Sequence, residues 1–442
     1  MKSKLLPEGK KIAVLGCGSS GVSAAKLAAA RGAARICIFD ANPAATCRPL
    51  PGVEFCPGAT EEHARAYAAD LIILSPGIEA DIPWTLSFAA PKNAPIIAET
   101  ELAWHFYTGR IIAITGTNGK TTTTALLEHI LTHAGHSAVA CGNYGLPLSE
   151  VVLMEPQPEF AVLEVSSFQM ETIVHFRPEI AIWLNFAPDH MDRYTRVEDY
   201  YNAKRRIFEN MDASQTAIVR EGEILPDLRP RRLGFSSVVA TGQLAFDGQN
   251  ITEQGIPLLS LRGTTMEQAH NAENCMAALL ACRAAGLEDA SIAAGIRSFS
   301  PPGHRCETVA EKDGILWLND SKSTNLHSTE AAVRSQTRPI ILLAGGKDKG
   351  LDYSPITPLL RDKARLCIVF GQIAAQLEQT FTPVCPVLRV ETVEEAVTAA
   401  AAQAQQGDVV LFSPGTSSFD QFTGYVQRGQ CFRDAVRRTL NL

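Results

Sequence analysis

Ile111-Ile112-Ala113-Ile114-Thr115-Gly116-Thr117-Asn118-Gly119-Lys120-Thr121-Thr122 is a short apolar run that breaks into a glycine-rich turn ending Gly-Lys-Thr. The run is too short for a helix and rich in β-branched side chains, so it predicts a buried strand. The turn predicts a loop whose backbone N–H groups cradle phosphates at a helix N-terminus. Lys120 would neutralise charge there, and the Thr121 hydroxyl would reach Mg²⁺. Ile114 stands where the G-x-x-x-x-G-K-[ST] form has its first glycine. A turn of purely structural purpose is the alternative. Strand, glycine turn and helix in this order form the repeating unit of a parallel α/β sheet.

The same unit recurs on both sides. Upstream, a strand at 11–15 runs into Gly16-Cys17-Gly18-Ser19-Ser20-Gly21 and an Ala-rich helix to about Arg31. Strands follow at 35–40, ending in Asp40, and at 71–74, ending at Ser75-Pro76-Gly77. By itself this G-x-G-x-x-G, with Asp40 as ribose-binding acid, points to NAD or FAD, with a packing turn as the alternative. Downstream, buried strands are expected at 160–164 and 180–184. Residues 214–266 change to short β-like runs and many turns, which predicts a small antiparallel sheet. Ser300-Pro301-Pro302-Gly303 is a break, and α/β alternation resumes beyond it. The expected class is α/β with three domains. These are a Rossmann-like domain at 1–97, a central P-loop domain with a small antiparallel sheet at 98–302, and a Rossmann-like domain at 303–442.

Composition narrows the function. The 442 residues are 46% hydrophobic and 20% charged, enough apolar content for packed cores. A net charge of −7 argues against bulk electrostatic binding to nucleic acid or anionic membrane. No apolar run approaches the ~18 residues of a membrane span, and the first ten residues lack a signal-peptide core. Eleven cysteines without a C-x-x-C pair read as reduced thiols of a cytoplasmic protein, with neither a disulfide framework nor a zinc site.

Several polar stretches follow expected strands, at the ligand edge of open α/β sheets. Glu164, before Val165-Ser166-Ser167-Phe168-Gln169, stands where a P-loop enzyme needs an Mg²⁺ ligand, or it caps a helix. Asn185-Phe186-Ala187-Pro188-Asp189-His190-Met191-Asp192-Arg193-Tyr194 gathers His and Asp in one loop, or forms a solvated turn. His270-Asn271-Ala272-Glu273-Asn274 opens a helix, for which an N-terminal cap is the plain reading. Asn319 to Asn325, Gly345 to Gly350 and Ser413 to Phe422 together suggest a third site. A dehydrogenase needs only the first glycine loop and a simple ATPase only the second. A ligase of a nucleotide-activated substrate uses both.

With these motifs in view the chain resembles the Mur ligases over all three expected domains. Thr115–Thr122, Glu164–Gln169, Asp189-His190-Met191-Asp192-Arg193-Tyr194 and Asn319–Asn325 carry the resemblance. Gln427-Arg428-Gly429 and the N-terminal glycine turn favour the D-glutamate-adding member. This family lacks the first P-loop glycine, so the resemblance accounts for Ile114. It implies an ATP-dependent ligase that adds D-glutamate to UDP-N-acetylmuramoyl-L-alanine through an acyl phosphate. The N-terminal domain would then hold a UDP-sugar through Ser19, Ser20, Asp40 and Ser75, with Asn143 near the muramoyl group. Ala41-Asn42 departs from the Thr-Arg of some relatives. ATP would meet Gly116, Thr117, Asn118, Gly119, Lys120, Thr121, Thr122, Asn271, Asn274, Arg305, Asp320 and Lys322. D-Glutamate would meet Thr324, Lys349, Ser418 and Tyr425, where a phenylalanine is common. Two Mg²⁺ would use Thr121, Glu164, His190 and Lys204. The resemblance implies that Lys204, in Tyr200-Tyr201-Asn202-Ala203-Lys204, carries a CO₂-derived carbamate. The neighbouring charges of Arg205, Arg206 and Mg²⁺ would favour the neutral amine this needs. Lys120, His190 and Lys204 are thus the catalytic candidates. The partners would be the three small substrates, with the chain monomeric. A folylpolyglutamate synthase-like ligase and an NAD-dependent dehydrogenase are the alternatives.

Overall fold

The computed structural model describes residues 2–238, 242–267, 269–301 and 303–442. The expected domain boundary at residue 302 therefore falls outside the described residues. The chain forms two compact units, one of residues 1–186 and 198–299, the other of residues 187–197 and 300–442.

The first unit holds two sheets. One is five-stranded and fully parallel, in the order Val53–Pro57, Arg35–Asp40, Lys11–Leu15, Leu71–Leu74, Ile96–Ala98. The chain leaves Lys11–Leu15 toward one edge and returns on its other side. That topological switch point puts the turn at Gly16 beside the end of Leu71–Leu74. The helix Ser19–Ala30 packs close because it is built from small residues. A Cβ on Gly21 would lie 2.0 Å from the Gly16 carbonyl oxygen and 2.7 Å from Ser75 Oγ, so glycine is required there.

The second sheet has nine strands. Arg110–Thr115 lies in it between Ile180–Trp183 and Phe160–Glu164, both parallel to it. Ala138–Gly142 closes one edge. On the other side the expected separate antiparallel sheet is not formed. Thr216–Arg220, Arg231–Ser236 and Leu244–Phe246 extend the parallel sheet, and only Asn250–Glu253 and Ile256–Ser260 run antiparallel at its edge. The reason is burial. Thr216 to Val219 is buried throughout, as suits an interior parallel strand, while the Asp247-Gly248 and Gln254-Gly255 turns serve only the edge. Both sheets contribute to one apolar core, Ile12, Val14 and Ile73 from the first and Ile111, Ala113 and Leu163 from the second.

The second unit is built on a six-stranded sheet in the order Glu307–Lys312, Ile315–Asn319, Val409–Phe412, Ile340–Gly345, Ala364–Phe370, Val387–Arg389. All pairs are parallel except the first. Apolar clusters cover both faces, with Phe412 stacked on Phe432 at 4.4 Å. The segment 187–197 belongs to this unit although it joins two elements of the first. Among the described residues no helix is long and apolar enough to cross a membrane.

Candidate active site

The first unit gathers the residues of the glycine-rich loop 116–122. Thr115 ends its strand, and helix Lys120–His133 starts after Gly119, whose φ of +84° is left-handed. A Cβ on Gly119 would lie 2.4 Å from Asn274 Oδ1. The loop is pinned from the neighbouring strand end. Thr117 N donates to Asn185 O and Asn118 N to Asn185 Oδ1, both over 2.9 Å. Lys120 Nζ folds over the loop and donates to the carbonyls of Gly116 and Thr117 at 2.8 and 2.9 Å.

Glu164 ends the adjacent strand. Its Oε2 accepts from Thr121 Oγ1 at 2.8 Å and its Oε1 from Asn143 Nδ2 at 3.0 Å. Thr122 is buried in the same first helical turn. Thr123 Oγ1 donates to Asn274 Oδ1 at 3.2 Å, and Asn274 Nδ2 reaches Asn271 Oδ1 at 3.5 Å, so the helix Ala269–Ala285 brings both asparagines to the loop. Lys204 also arrives there. It is only 2% exposed, and its Nζ donates to the Gly116 carbonyl at 3.0 Å and lies 4.6 Å from the Tyr200 ring centroid. Arg205 and Arg206, expected to act on it, turn elsewhere. Arg205 donates to Pro226 O, and Arg206 to the carbonyls of Met170, Glu171 and Ile173 and to Glu209. On a helix, successive side chains point about 100° apart, so adjacency in sequence separates them.

A second cluster surrounds the first glycine turn. Ser19 and Ser20 open the helix, and Ser75 Oγ donates to Gly16 O at 3.2 Å. Asp40 accepts from Cys17 N at 3.1 Å and Asn42 N at 3.0 Å. Partial burial pushes its pKa up, but these bonds outweigh that and hold it below the usual carboxylate value. Asp40 is therefore an anion beside the turn.

In the second unit the loops after three strands meet around one buried guanidinium. Arg428 is 0% exposed. It donates to Ser321 Oγ and O at 3.1 and 2.8 Å and to Thr416 O at 3.0 Å. No carboxylate is among these acceptors, and burial lowers its pKa to about 9, with Asp420 and Asp320 opposing the shift. Asp320 is buried too. Desolvation pushes it up to about 6 although Ser323 and Ser413 hydroxyls and Cys306 N donate to it. Arg305 lies near enough to act on Asp320 electrostatically. Lys322 Nζ donates to Tyr425 OH at 2.9 Å. Ser418 is buried in the last loop, where its carbonyl accepts from Phe422 N at 2.9 Å.

Lys349 is also buried, and its Nζ donates to Asp189 Oδ1 at 2.8 Å and to the Thr324 carbonyl at 3.2 Å. Asn325 Nδ2 donates to the other Asp189 oxygen at 3.0 Å. Burial alone would raise the Asp189 pKa, but Lys349 and His190 hold it at about 2. This pair ties the segment 187–197, and His190 with it at φ +58°, to the second unit. Asp189 and Arg428 lie in the motifs with no role assigned to them there, because a polar residue in a loop gives no local sign of the distant groups that bury it.

The chain matches the Mur ligase middle domain over residues 114–282 and the Mur ligase glutamate ligase domain over residues 304–415. It is 35% identical to the UDP-N-acetylmuramoylalanine--D-glutamate ligase of Geotalea uraniireducens, covering 97% of both chains. It is 38% identical to the enzyme of the same name from Acidobacterium capsulatum, covering 97% of this chain and 96% of that one. The chain belongs to the Mur ligase family. Solved structures agree in fold. UDP-N-acetylmuramate-alanine ligase of Thermotoga maritima superposes with a TM-score of 0.63 at 18% identity, covering 97% of this Mur ligase and 100% of that chain. The MurF ligase of the same organism, solved in complex with ADP, gives 0.62 at 15%, with 100% and 99% covered.

The donor set of this Mur ligase suits a hard cation beside the glycine-rich loop 116–122. A threonine hydroxyl and a carboxylate converge there, both oxygen donors of the kind Mg²⁺ takes. Among the described residues no three His, Cys, Asp or Glu side chains converge, so further ligands would be waters, phosphate oxygens or a modified side chain.

Proposed function

We propose that the protein is an ATP-dependent ligase that joins D-glutamate to UDP-N-acetylmuramoyl-L-alanine in peptidoglycan precursor synthesis. The observation that carries this is the 35–38% identity, over nearly the whole chain, to ligases of that name. The three domains at 1–97, 98–302 and 303–442 would bind the UDP-sugar, ATP and the amino acid. The first would be Rossmann-like, the second a P-loop domain and the third Rossmann-like.

The chemistry follows from the groups present. A carboxylate is a poor acyl donor because its leaving group would be oxide. Transfer of the ATP γ-phosphoryl group to the L-alanyl carboxylate makes an acyl phosphate and ADP. The D-glutamate amine then attacks, and phosphate leaves through a tetrahedral intermediate. Both steps bring anions together, so cations placed in advance supply most of the catalysis. Lys120 would hold the γ-phosphate from within the loop. Asn271, Asn274, Arg305, Asp320 and Lys322 would hold the rest of the nucleotide. Ser19, Ser20, Asp40, Ser75 and Asn143 would hold the UDP-sugar, and Thr324, Lys349, Ser418 and Tyr425 the amino acid.

Bound Mg²⁺ would neutralise phosphate charge. Thr121 and Glu164 would hold one ion, and His190 with a carbamate on Lys204 a second. The Lys204 amine, next to the Gly116 carbonyl, is where such an anion would face the loop. We infer a monomeric, cytoplasmic enzyme. The test is ADP release with the UDP-muramoyl-alanine substrate across a panel of amino acids. Release that depends on D-glutamate is expected, and release with another amino acid alone overturns the specificity. An NAD-dependent dehydrogenase would instead show thermal stabilisation by NAD and none by UDP-sugars.

A further inference from the structure

Eleven cysteines are spread over the chain, all as free thiols, and in the second unit two of them meet. Cys367 Sγ lies 3.3 Å from Cys385 Sγ, 18 positions along the chain. Among the described residues no other two thiols share a hydrogen bond. The backbone brings this pair together. Cys367 lies inside the strand Ala364–Phe370, opposite Val387 of the parallel edge strand Val387–Arg389. Its N–H donates to Pro386 O at 2.9 Å. Cys385 stands between that edge strand and the helix Ala374–Phe381, and its N–H donates to Phe381 O at 3.1 Å. Pro383 and Pro386 restrict the backbone on either side of it. Main-chain pairing therefore fixes where both thiols sit.

The two thiols differ in reach and in acidity. Cys367 is 0% exposed and Cys385 is 8% exposed. Thr382, Pro383 and Pro386 around Cys385 are exposed, so a small reagent from solvent meets Cys385 first. Each thiol has one proton to donate. Cys385 Sγ donates to Phe381 O over 3.8 Å, which leaves Cys367 as the donor to Cys385. That bond holds the Cys385 thiol below its ordinary pKa although burial opposes it. The same bond, with burial, pushes Cys367 well above. The thiolate is the nucleophile, so Cys385 reacts first and Cys367 stands directly behind it. A disulfide needs the two sulfurs about 1.3 Å closer, a movement of the size that small side-chain rotations supply.

We propose that Cys367 and Cys385 form a reversible oxidation site, in which a small peroxide converts the pair to an intrachain disulfide. The Cys385 thiolate attacks one oxygen of hydrogen peroxide. An S–O bond forms, the O–O bond breaks and hydroxide leaves, which makes a sulfenic acid on Cys385. Cys367 Sγ then attacks Cys385 Sγ. The S–S bond forms, the S–O bond breaks, and the hydroxyl leaves as water with the Cys367 proton. The two thiols together lose two electrons and two protons, and one peroxide becomes two waters. Capture by Cys367 keeps Cys385 from the irreversible sulfinic acid. The site stands apart from the ligase reading and needs none of its assignments.

The test is peptide mapping by mass spectrometry, without reductant, of the full chain. The protein is first reduced, then treated with one equivalent of hydrogen peroxide and alkylated. A linked Cys367–Cys385 peptide pair, lighter by two hydrogen atoms, should appear at least ~10-fold above any other linked pair and vanish with dithiothreitol. Cys367→Ala should leave on Cys385 a sulfenic acid that dimedone labels. Cys385→Ala should leave Cys367 fully alkylated in its thiol form once the protein is unfolded. A Cys385 that still alkylates as a thiol after peroxide overturns the proposal. So does Cys385 sulfinic acid in place of the disulfide, or a disulfide joining either residue to another cysteine in equal yield. Oxidation of Cys367 at the wild-type rate in a Cys385→Ala variant with wild-type thermal midpoint overturns the order of the steps. The wild-type map decides by itself where either variant fails to fold.

Discussion

The cluster at loop 116–122 of the first unit and the strand-end loops of the second both place lysines near glycine-rich turns, but they hold them differently. Lys120 and Lys204 donate to main-chain carbonyls of the loop itself. Lys349 is instead locked to Asp189 in a buried ion pair, and a buried Arg428 holds the Ser321 and Thr416 loops of the same unit. In the first arrangement two lysines meet one loop, where we propose that Lys120 faces phosphate and Lys204 carries the carbamate. On the proposed assignment, a carboxylate of the amino acid would share Lys349 with Asp189. On the proposed reading, the comparison sets a cluster for phosphate chemistry beside one for selection of the amino acid.

The sharpest way to break that comparison is at Lys204. Lys204→Ala should be nearly inactive if the amine carries a carbamate, and acetate should restore part of the activity by taking the vacant metal position. A mass spectrum of active, CO₂-equilibrated enzyme with an unmodified lysine, or full activity in Lys204→Ala, would remove Lys204 from the cluster. Next come Lys120→Ala and Glu164→Ala. Each should lower ADP release at least ~100-fold, as loss of a transition-state donor does, while circular dichroism melting stays close to wild type. A folded variant keeping more than about a tenth of the activity would sink the P-loop assignment.

The second unit calls for a different signature. Lys349→Ala should raise the KM for D-glutamate by roughly 10-fold or more and the KM for ATP far less, since it removes a point charge meant for a substrate carboxylate. The reverse split would move Lys349 to the nucleotide and collapse the contrast between the two regions. The smallest effect concerns Asp320, whose folded pKa of about 6 lies above its unfolded value of 3.8. The folded state therefore holds more protons between about pH 4 and 6. Stability should fall as pH rises through that window, by at most about 1.4 kcal/mol per pH unit, and level off above it. Urea unfolding across this range should show the slope in the wild type and lose it in Asp320→Asn. An unchanged slope would assign it to another group.

Much of this was legible in order along the chain. The strand–glycine–helix units at 11–31 and 110–133 show because a parallel sheet needs buried apolar strands and tight turns at fixed intervals. Lys120, Thr121 and Glu164 fall where that geometry must put them, at strand ends. In the region 214–266 the antiparallel pairing expected from its turns holds only for 244–260, and the rest joins the parallel sheet, because turns are local but pairing is not. Thr216–Arg220 found partners at Ile180–Trp183 and Arg231–Ser236, a choice made by burial on both faces.

Local chemistry, then, was determined by sequence alone: which loops are glycine-rich, which strand ends carry acids, and where helices begin. Tertiary structure decided which distant groups meet. Lys204 reaches Gly116 across 88 positions, Lys349 reaches Asp189 across 160, and Arg428 reaches Ser321 across 107. The physical reason is desolvation. A charge is costly to bury unless a partner is already there, and both burial and partner exist only once the chain has packed.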